Sequence, residues 1–247
     1  MSLAGQVSLV TGAGNGIGRA TVDALLRDGA TVIAVDRDAA ALQQLAEERP
    51  GVVTVEADVA NPDGVARAVA TAGDVDFLCN NAGLMDSMRL LDEQTLEEWG
   101  RIFDVNVTGP FLFCKAVLPS MLRRRTGLII NVASIAGLRG GRAGAAYTAS
   151  KHALVGLTRN IAAMYGPDGV RCIAVCPGGI AGSARGGQEP GTTFSERGAA
   201  RIMGRDARAA PYGVPEDIAD VIVALARPDA RYMTGAIVVA DGGATAY

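Results

Sequence analysis

The sequence predicts an α/β fold, a doubly wound parallel sheet of about seven strands with helices on both faces. Segments rich in Val and Ile alternate along the chain with segments of helical periodicity, the order that a parallel sheet with crossover helices requires. Most of the strand segments are continuously apolar, as expected of strands covered on both faces. We find no internal repeat and no linker-like boundary, so we expect a single domain over residues 1–247.

The predicted strands are separated by intervals that leave room for connecting helices. Short apolar runs bounded by turn residues are typical of buried strands. They occupy residues 6–12, 31–37, 52–58, 75–83, 127–134, 170–178 and 236–243.

Helical segments fill the intervals between these strands. Several of them begin at Pro or end at Gly, residues that are common in the first turn and just past the last turn of a helix. They cover residues 16–29, 39–50, 62–73, 96–125, about 145–165 and 215–228.

Residues 179–213 depart from this alternation, because they are rich in Gly, Arg, Ala and Ser and show weak periodicity. A long irregular insertion in a compact domain is usually functional or disordered. This one follows the carboxyl end of a strand, where open α/β sheets bind their ligands. We therefore predict a mobile substrate lid at 179–213, with short helices possible inside it.

The composition argues against several classes of protein. The net charge is −3 and no block of Lys and Arg is long enough to follow a phosphate backbone, so we expect no nucleic acid partner. We find no basic leader followed by an apolar segment and no run of 18 apolar residues, so we expect a cytoplasmic protein without a membrane partner. No His, Cys or Asp cluster has metal-ligand spacing. The cysteines lack CxxC spacing and favour a reducing compartment; they are Cys79, Cys114, Cys172 and Cys176.

A glycine-rich segment, TGAGNGIGRA at residues 11–20, joins the first strand to the first helix. Its spacing is TGxxxGxG rather than GxGxxG, and its glycines allow a tight turn and the approach of a pyrophosphate to the helix N-terminus. Asp36 ends the second strand, where a carboxylate can accept hydrogen bonds from adenosine ribose hydroxyls and repels a 2′-phosphate. These features predict a Rossmann-type site that prefers NAD(H) to NADP(H), although Arg37 beside it is a residue that tolerates phosphate.

The segment AAYTASKHAL at residues 145–154 places Tyr147 and Lys151 four positions apart, on one face of a helix. An ammonium group close to a phenol lowers the pKa of the phenol, which suits a group that exchanges a proton near neutral pH. Taken alone, the pair also fits a half-buried aromatic residue beside a solvated lysine. The adjacent His152 points about 100° away from Lys151, and we predict that it is a packing or interface residue.

Together these motifs resemble those of the short-chain dehydrogenase/reductase family over nearly the whole chain. The segment 11–18 matches the cofactor turn of the family, NNAG at 80–83 its fourth-strand motif, and PG at 177–178 the turn beside the nicotinamide. The family often continues that last turn as PGxxxT, whereas Gly182 stands at the threonine position here. This departure leaves the geometry of the predicted lid open.

The resemblance implies a catalytic tetrad. Asn106 in FDVNVTGPF interrupts its helix and anchors a water that connects the lysine to solvent, and Ser134 in INVASIAG donates a hydrogen bond to the substrate oxygen. Tyr147 is the implied general acid/base, and Lys151 lowers its pKa and holds the nicotinamide ribose. The implied cofactor-binding residues are Gly12, Asn15, Gly16, Ile17, Gly18, Asp36, Asp58, Val59, Asn81, Ala82, Gly83, Tyr147, Lys151, Pro177, Gly178 and Ile180.

The implied function is that of an NAD-dependent oxidoreductase, which interconverts a secondary alcohol and a ketone by hydride transfer. An NADPH-dependent 3-oxoacyl-thioester reductase of fatty-acid synthesis shares every motif above and stays open as an alternative, as does a non-catalytic cofactor-binding module. Two arginines in GLRGGRAGAA, residues 137–146, fit either an acidic or polar substrate or a solvated loop. The resemblance also implies a homotetramer, in which segments 96–125 and 145–165 pair between subunits.

Overall fold

Seven parallel strands form one sheet in the computed structural model of the chain, which describes residues 2–182, 194–203 and 212–246. The spatial order is β3-β2-β1-β4-β5-β6-β7, so the chain builds one half of the sheet, returns to its centre and then builds the other half. The predicted fold class and all seven predicted strands are confirmed. The strands are β1 (Val7–Thr11), β2 (Thr31–Asp36), β3 (Val53–Glu56), β4 (Phe77–Asn80), β5 (Gly127–Val132), β6 (Val170–Pro177) and β7 (Ile237–Ala240).

Helices cover both faces of the sheet, and each predicted helical segment is present. One further helix, α7, lies within the predicted lid, whose remaining residues 183–193 and 204–211 fall outside the described part of the chain. The helices are α1 (Gly16–Arg27), α2 (Ala39–Glu48), α3 (Pro62–Ala72), α4 (Leu96–Phe103), α5 (Gly109–Arg124), α6 (Ala145–Tyr165), α7 (Glu196–Met203) and α8 (Pro215–Ala226).

Two apolar layers hold these helices on the sheet. On one face α1 packs against α8, with Leu25 and Ile222 among the fully buried side chains. On the other face α3, α5 and α6 share a second layer that contains Phe113 and Ile161. The five inner strands are buried on both sides by such layers, and their continuous apolar character follows from this burial. The edge strands β3 and β7 are only partly buried.

The long helical segment 96–125 is interrupted where α4 meets α5. Residues Asp104–Thr108 form a π-helical turn between the two helices, a local irregularity that often accompanies functional sites. Asn106 lies in this turn and is fully buried. The interruption that the family resemblance implies at Asn106 is therefore present.

The stretch Leu96–Arg124 is the one helical segment in the described ranges whose length and composition would suit a membrane span. Phe113, Val117 and Met121 of this stretch are buried against the sheet. An apolar helix in the core of a folded protein has the same composition, so this finding is weak evidence for a membrane partner. The expected absence of one stays a prediction.

Candidate active site

A cleft opens at the carboxyl ends of the strands, beside the point where the chain crosses from β3 at one edge to β4 at the centre of the sheet. Doubly wound sheets bind their ligands at this switch point. Among the predicted site residues, all except Gly18 and Asn106 line the cleft. Its lining residues are Gly12, Asn15, Gly16, Ile17, Asp36, Arg37, Ala57, Asp58, Val59, Asn81, Ala82, Gly83, Leu84, Met85, Val105, Val132, Ala133, Ser134, Tyr147, Lys151, Pro177, Gly178 and Ile180.

Six apolar lining residues lie outside the motifs, and two of them, Leu84 and Met85, fall in the loop 84–94, which the sequence favours as part of the substrate pocket. Each is next or next but one in sequence to a predicted residue at a strand end or at the π-helical turn, so adjacency to the motifs is the signal that could have found them. They are Ala57, Leu84, Met85, Val105, Val132 and Ala133.

The glycine-rich turn is shaped by close approach of the backbone to its neighbours. Gly12 has φ +65°, and a Cβ atom on it would lie 2.8 Å from the Cα of Ala82. A Cβ atom on Gly18 would lie 1.9 Å from the carbonyl oxygen of Gly12. Gly18 therefore sits behind the cleft and allows α1 to start directly against the turn, which only a residue without a side chain permits.

The N-terminus of α1 has the properties of an anion site. Its N-cap residue, Asn15, makes no side-chain hydrogen bond to the helix, and the first turn contains no acidic residue. The first backbone N–H groups of a helix have no partner within the helix, and the helix dipole is positive at this end. Because Asn15, Gly16 and Ile17 line the cleft, the turn fits the pyrophosphate of a dinucleotide.

A polar clip holds the loop after β4 against this turn. The Thr11 hydroxyl accepts hydrogen bonds from the backbone N–H groups of Asn81 and Ala82, each at 3.1 Å. The Asn81 side chain in turn donates to the carbonyl oxygens of Thr11 and Gly12, at 3.0 and 3.1 Å. The clip fixes the NNAG segment as the floor of the cleft at the centre of the sheet.

Asp36 is oriented by backbone groups at the end of β2. Its Oδ2 accepts a hydrogen bond from the Gly14 N–H at 2.8 Å, and its Oδ1 accepts one from the Asp38 N–H at 3.0 Å. A carboxylate has about four acceptor positions, so two remain for a ligand. Asp58, which follows β3, lines the same part of the cleft.

Ser134, Tyr147 and Lys151 meet on the opposite side of the cleft. Ser134 lies two residues past the end of β5, and its hydroxyl is close enough to the Tyr147 phenol to lower the pKa of that phenol. The Lys151 ammonium is buried and donates to the carbonyl oxygen of Val132 at 2.9 Å. It lies 5.5 Å from the centre of the Tyr147 ring, so the predicted pairing of phenol and ammonium on one helix face is present.

The pKa of Tyr147 is raised rather than lowered in the structure, because burial outweighs any effect of Lys151 on the phenol. Burial of the phenol raises the pKa of Tyr147 to about 12, although the neighbouring Ser134 acts in the opposite direction. Burial also lowers the pKa of Lys151 to about 8. The cost of placing a charge in this apolar wall acts on both groups, and the ammonium is directed at Val132 rather than at the phenol oxygen.

Asn106 supports the cleft from behind. Its Oδ1 accepts a hydrogen bond from the Leu84 N–H at 2.8 Å, and its Nδ2 donates to the Leu84 carbonyl oxygen at 2.9 Å and to Ser150 Oγ at 3.1 Å. A Cβ atom on Gly83 would lie 3.4 Å from both Asn106 Oδ1 and the Lys151 ammonium. The amide thus ties the loop after β4 to α6, beside the lysine.

The departure from PGxxxT has a backbone explanation. Gly182 has φ +78°, a left-handed conformation that a threonine adopts only with strain. Ile180, two residues earlier, is buried and pairs with Gly213. The chain therefore turns at Gly182 in a way that the usual residue would oppose.

Two arginines and a histidine that the sequence singles out do not line the cleft. Arg139 donates to the carbonyl oxygen of Thr245 at 2.8 Å, and Arg142 donates to that of Ala244 at 3.4 Å. Both arginines therefore hold the segment that follows β7. His152 is exposed on α6, with Nδ1 2.9 Å from the Thr148 carbonyl oxygen, so within this chain it is not a packing residue. No group of His, Cys, Asp and Glu in the described ranges is arranged to hold a metal ion.

Known proteins match the chain in sequence and in fold. Residues 6–191 match the model of a family described as short chain dehydrogenase. The chain is 41% identical over 255 residues to 3beta-hydroxysteroid dehydrogenase 2 of Eggerthella lenta, covering 99% of this chain and 96% of that protein. It is 39% identical over 256 residues to 2-(S)-hydroxypropyl-CoM dehydrogenase 3 of Xanthobacter autotrophicus, covering 99% and 98%.

A solved structure with bound cofactor is also similar. It comes from Beutenbergia cavernae, is assigned as an NAD(P)-dependent gluconate 5-dehydrogenase and contains NADP at low occupancy. The TM-score is 0.85 at 34% sequence identity, and the match covers 100% of this chain and 99% of that one.

Proposed function

The chain belongs to the short-chain dehydrogenase/reductase family of oxidoreductases, and on that premise we propose that it interconverts a secondary alcohol and a ketone with NAD(H). The observation that carries the proposal is the meeting of Ser134, Tyr147 and Lys151 in one cleft with Asp36. Asp36 ends β2 and Ser134 follows β5, three strands away in the sheet. Strand spacing makes this roughly 14 Å, enough for a dinucleotide to lie across the cleft.

The names of the relatives support the class of substrate. A 3beta-hydroxysteroid and a 2-hydroxypropyl group, in the names of two relatives, are both secondary alcohols. Oxidation of such an alcohol gives a ketone, with one hydride and one proton removed. Nicotinamide accepts the hydride when it is bound, so the protein has to position the substrate and transfer the proton.

Tyr147 transfers that proton. A phenol with a raised pKa is protonated at neutral pH, which suits donation to the oxygen of a ketone that is being reduced. Ser134, which lines the cleft beside the phenol, orients the same substrate oxygen and stabilises its developing charge. Lys151, held by Val132, supplies a positive charge that favours phenolate in the oxidation direction and a donor for the nicotinamide ribose.

The preference for NAD(H) rests on Asp36. Two of its acceptor positions are used by backbone N–H groups, and the others accept from the ribose hydroxyls. A 2′-phosphate at that place would bring two negative groups together in a partly buried cleft, which is unfavourable. Arg37 lines the cleft beside it and acts in the opposite direction, so the preference depends on which side chain faces the ribose.

We expect kcat/KM with NADH to be at least about tenfold higher than kcat/KM with NADPH. In the Asp36→Ser variant this ratio should become smaller or reverse, because the repulsion between the Asp36 carboxylate and the 2′-phosphate is removed. The measurement is initial rates across a panel of ketones and secondary alcohols with each cofactor. Asp38→Ser is the matched control, because that carboxylate caps α2 and does not line the cleft. A strong NADPH preference of the native chain would contradict the proposal and favour the 3-oxoacyl-thioester reductase.

We further propose that the chain is a single domain with a substrate lid at 179–213, that it is cytoplasmic, and that it forms a homotetramer through α4, α5 and α6. Apolar side chains on these helices support the assembly, since Phe111 and Met164 are 46% and 63% exposed in the single chain and large apolar patches usually mark interfaces.

Light scattering should therefore give four times the chain mass of 25.3 kDa. Phe111→Asp should reduce the measured mass, because it places a charge in the proposed contact. A native chain that scatters as a monomer would contradict the assembly, and a tetramer that is unaffected by Phe111→Asp would contradict its location.

A further inference from the structure

Asp86 is a buried carboxylate in the loop after β4, with 0% of its surface exposed. Its Oδ1 accepts hydrogen bonds from the backbone N–H groups of Met88 and Gly144, each at 3.1 Å. Its Oδ2 accepts one from the backbone N–H of Tyr147 at 3.0 Å. One side chain thus joins the loop that borders the cleft to the residue that carries the phenol.

The helix that carries the phenol has no cap of its own. The N-cap position of α6 is Gly144, which has no side chain, and the first turn contains no acidic residue. The first N–H groups of a helix need an acceptor, and a negative charge there is favourable to the helix dipole. Asp86 supplies the acceptor and the negative charge from another part of the chain, whereas most helices are capped by the side chain of the residue directly before them.

Gly144 is matched to this carboxylate. A Cβ atom on Gly144 would lie 2.4 Å from Asp86 Oδ2, so any larger residue would displace the side chain. The backbone of Gly144 has φ −70° and ψ −179°, an extended conformation that any residue can adopt. The reason for glycine at this position is therefore the contact with Asp86 and not the backbone angle.

We propose that Asp86 is a positioning residue for Tyr147: its carboxylate fixes the first turn of α6 against the loop after β4, and its negative charge acts on the phenol. The proposal rests on the proposed function, since it concerns the proton that Tyr147 transfers. The loop residues Gly83, Leu84 and Met85 line the cleft. Asp86 therefore sets the position of the phenol relative to the wall where the cofactor is proposed to bind.

Several charged and titratable groups act on this site besides Asp86. The negative charge of Asp86 and the Cys176 thiol at the end of β6 both raise the pKa of Tyr147, after the larger effect of burial. Lys151 faces the ring from α6. Glu98 of α4 is buried, accepts a hydrogen bond from the Ser87 N–H and is paired with Arg89 at 3.5 Å. Among these charged side chains only that of Asp86 hydrogen-bonds to the first turn of α6; the backbone carbonyl oxygen of Arg89 accepts from the Ala145 N–H.

The Asp86→Asn variant tests the proposal, because it keeps the shape of the side chain and removes the charge and one acceptor. The measurement is the pH dependence of kcat/KM for the alcohol at saturating NAD, which rises as the phenol ionises in the cofactor-bound protein. We expect the plateau to fall about tenfold, because the phenol is less well placed. We expect the midpoint of the rise to move to lower pH by about 0.5 to 1 unit, because loss of a nearby negative charge favours phenolate.

Glu98→Gln is the matched control, since it removes a buried carboxylate from the same region that does not bind α6. Its midpoint should stay within about 0.2 units of the native value. Gly144→Ala is a second test that leaves Asp86 in the sequence but displaces it. It should lower the plateau as Asp86→Asn does, and its effect should disappear in an Asp86→Ala background, where nothing is left to displace.

A lower melting temperature of Asp86→Asn with an unchanged midpoint would overturn the proposal, because a purely structural cap changes stability alone. If Asp86→Asn does not fold, Gly144→Ala carries the test, and additive effects of Gly144→Ala and Asp86→Ala would overturn it. The Tyr147→Phe variant distinguishes failure of the proposed function from failure of the proposed role of Asp86. An active Tyr147→Phe variant contradicts the proposed function, whereas an inactive one beside an unshifted Asp86→Asn contradicts only the role of Asp86.

Discussion

The Tyr147→Phe variant is expected to lose kcat/KM by about 10³-fold in both directions of the reaction, the size of contribution that a positioned general acid or base makes. The substitution removes the hydroxyl that lies beside Ser134 in the cleft and leaves the ring in place. Without it, the substrate oxygen has no proton donor in reduction and no base in oxidation. Binding of NADH should change less than about twofold, because the ring still fills the same space.

Tyr165→Phe is the matched control for this prediction. Tyr165 lies at the other end of the same helix and does not line the cleft, so its loss should leave kcat/KM unchanged. Fluorescence titration with NADH and circular dichroism establish that both variants are folded. Full activity of Tyr147→Phe would reject the assignment of the general acid/base and with it the proposed reaction.

The fold could be predicted almost completely from the sequence, because its determinants are local and repeated. Continuous apolar runs such as IINV in β5 need cover on both faces, and helical segments of suitable length lie between them. The glycine turn and Asp36 fall where β1 and β2 end, and a parallel sheet brings those ends to one edge. The positions of most site residues follow from this geometry.

The electrostatics of the site could not be predicted in the same way. The spacing of Tyr147 and Lys151 gives their proximity but not their solvation, and here burial outweighs the attraction between phenolate and ammonium. No local sequence pattern marks Asp86 as the cap of α6 either, because Asp86 and the N-cap residue Gly144 are 58 positions apart in the sequence. Such contacts depend on how two loops pack, which hydrophobic periodicity does not record.

The Lys151→Met variant is expected to lose most activity and yet to unfold less readily than the native chain at pH 7. Burial holds the pKa of Lys151 at about 8, below its ordinary 10.5. In the pH range between these values the unfolded chain binds more protons than the folded one, so stability rises with pH there. Below about pH 8 the folded chain carries the full cost of a buried charge, about 3 kcal/mol at most.

Methionine fills a similar space without the charge, but it also loses the hydrogen bond to the Val132 carbonyl oxygen, worth about 1 kcal/mol. The net gain at pH 7 is therefore about 2 kcal/mol in the free energy of unfolding, measured by denaturant titration of the cofactor-free protein. The rise in stability between pH 8 and 10 should disappear in the variant. Activity should fall about 10²-fold or more, because the ammonium that favours phenolate is gone.

The chain has a natural control for this experiment, because its only other lysine is Lys115. Lys115 is exposed on α5, near the ring of Phe111, so Lys115→Met should change neither the pH dependence of stability nor kcat/KM. If Lys151→Met were less stable than the native chain at pH 7, the ammonium would be a net stabilising group. Lys151→Met is expected to raise stability and to lower activity. This combination means that a buried charge that destabilises the fold is retained because the reaction needs it.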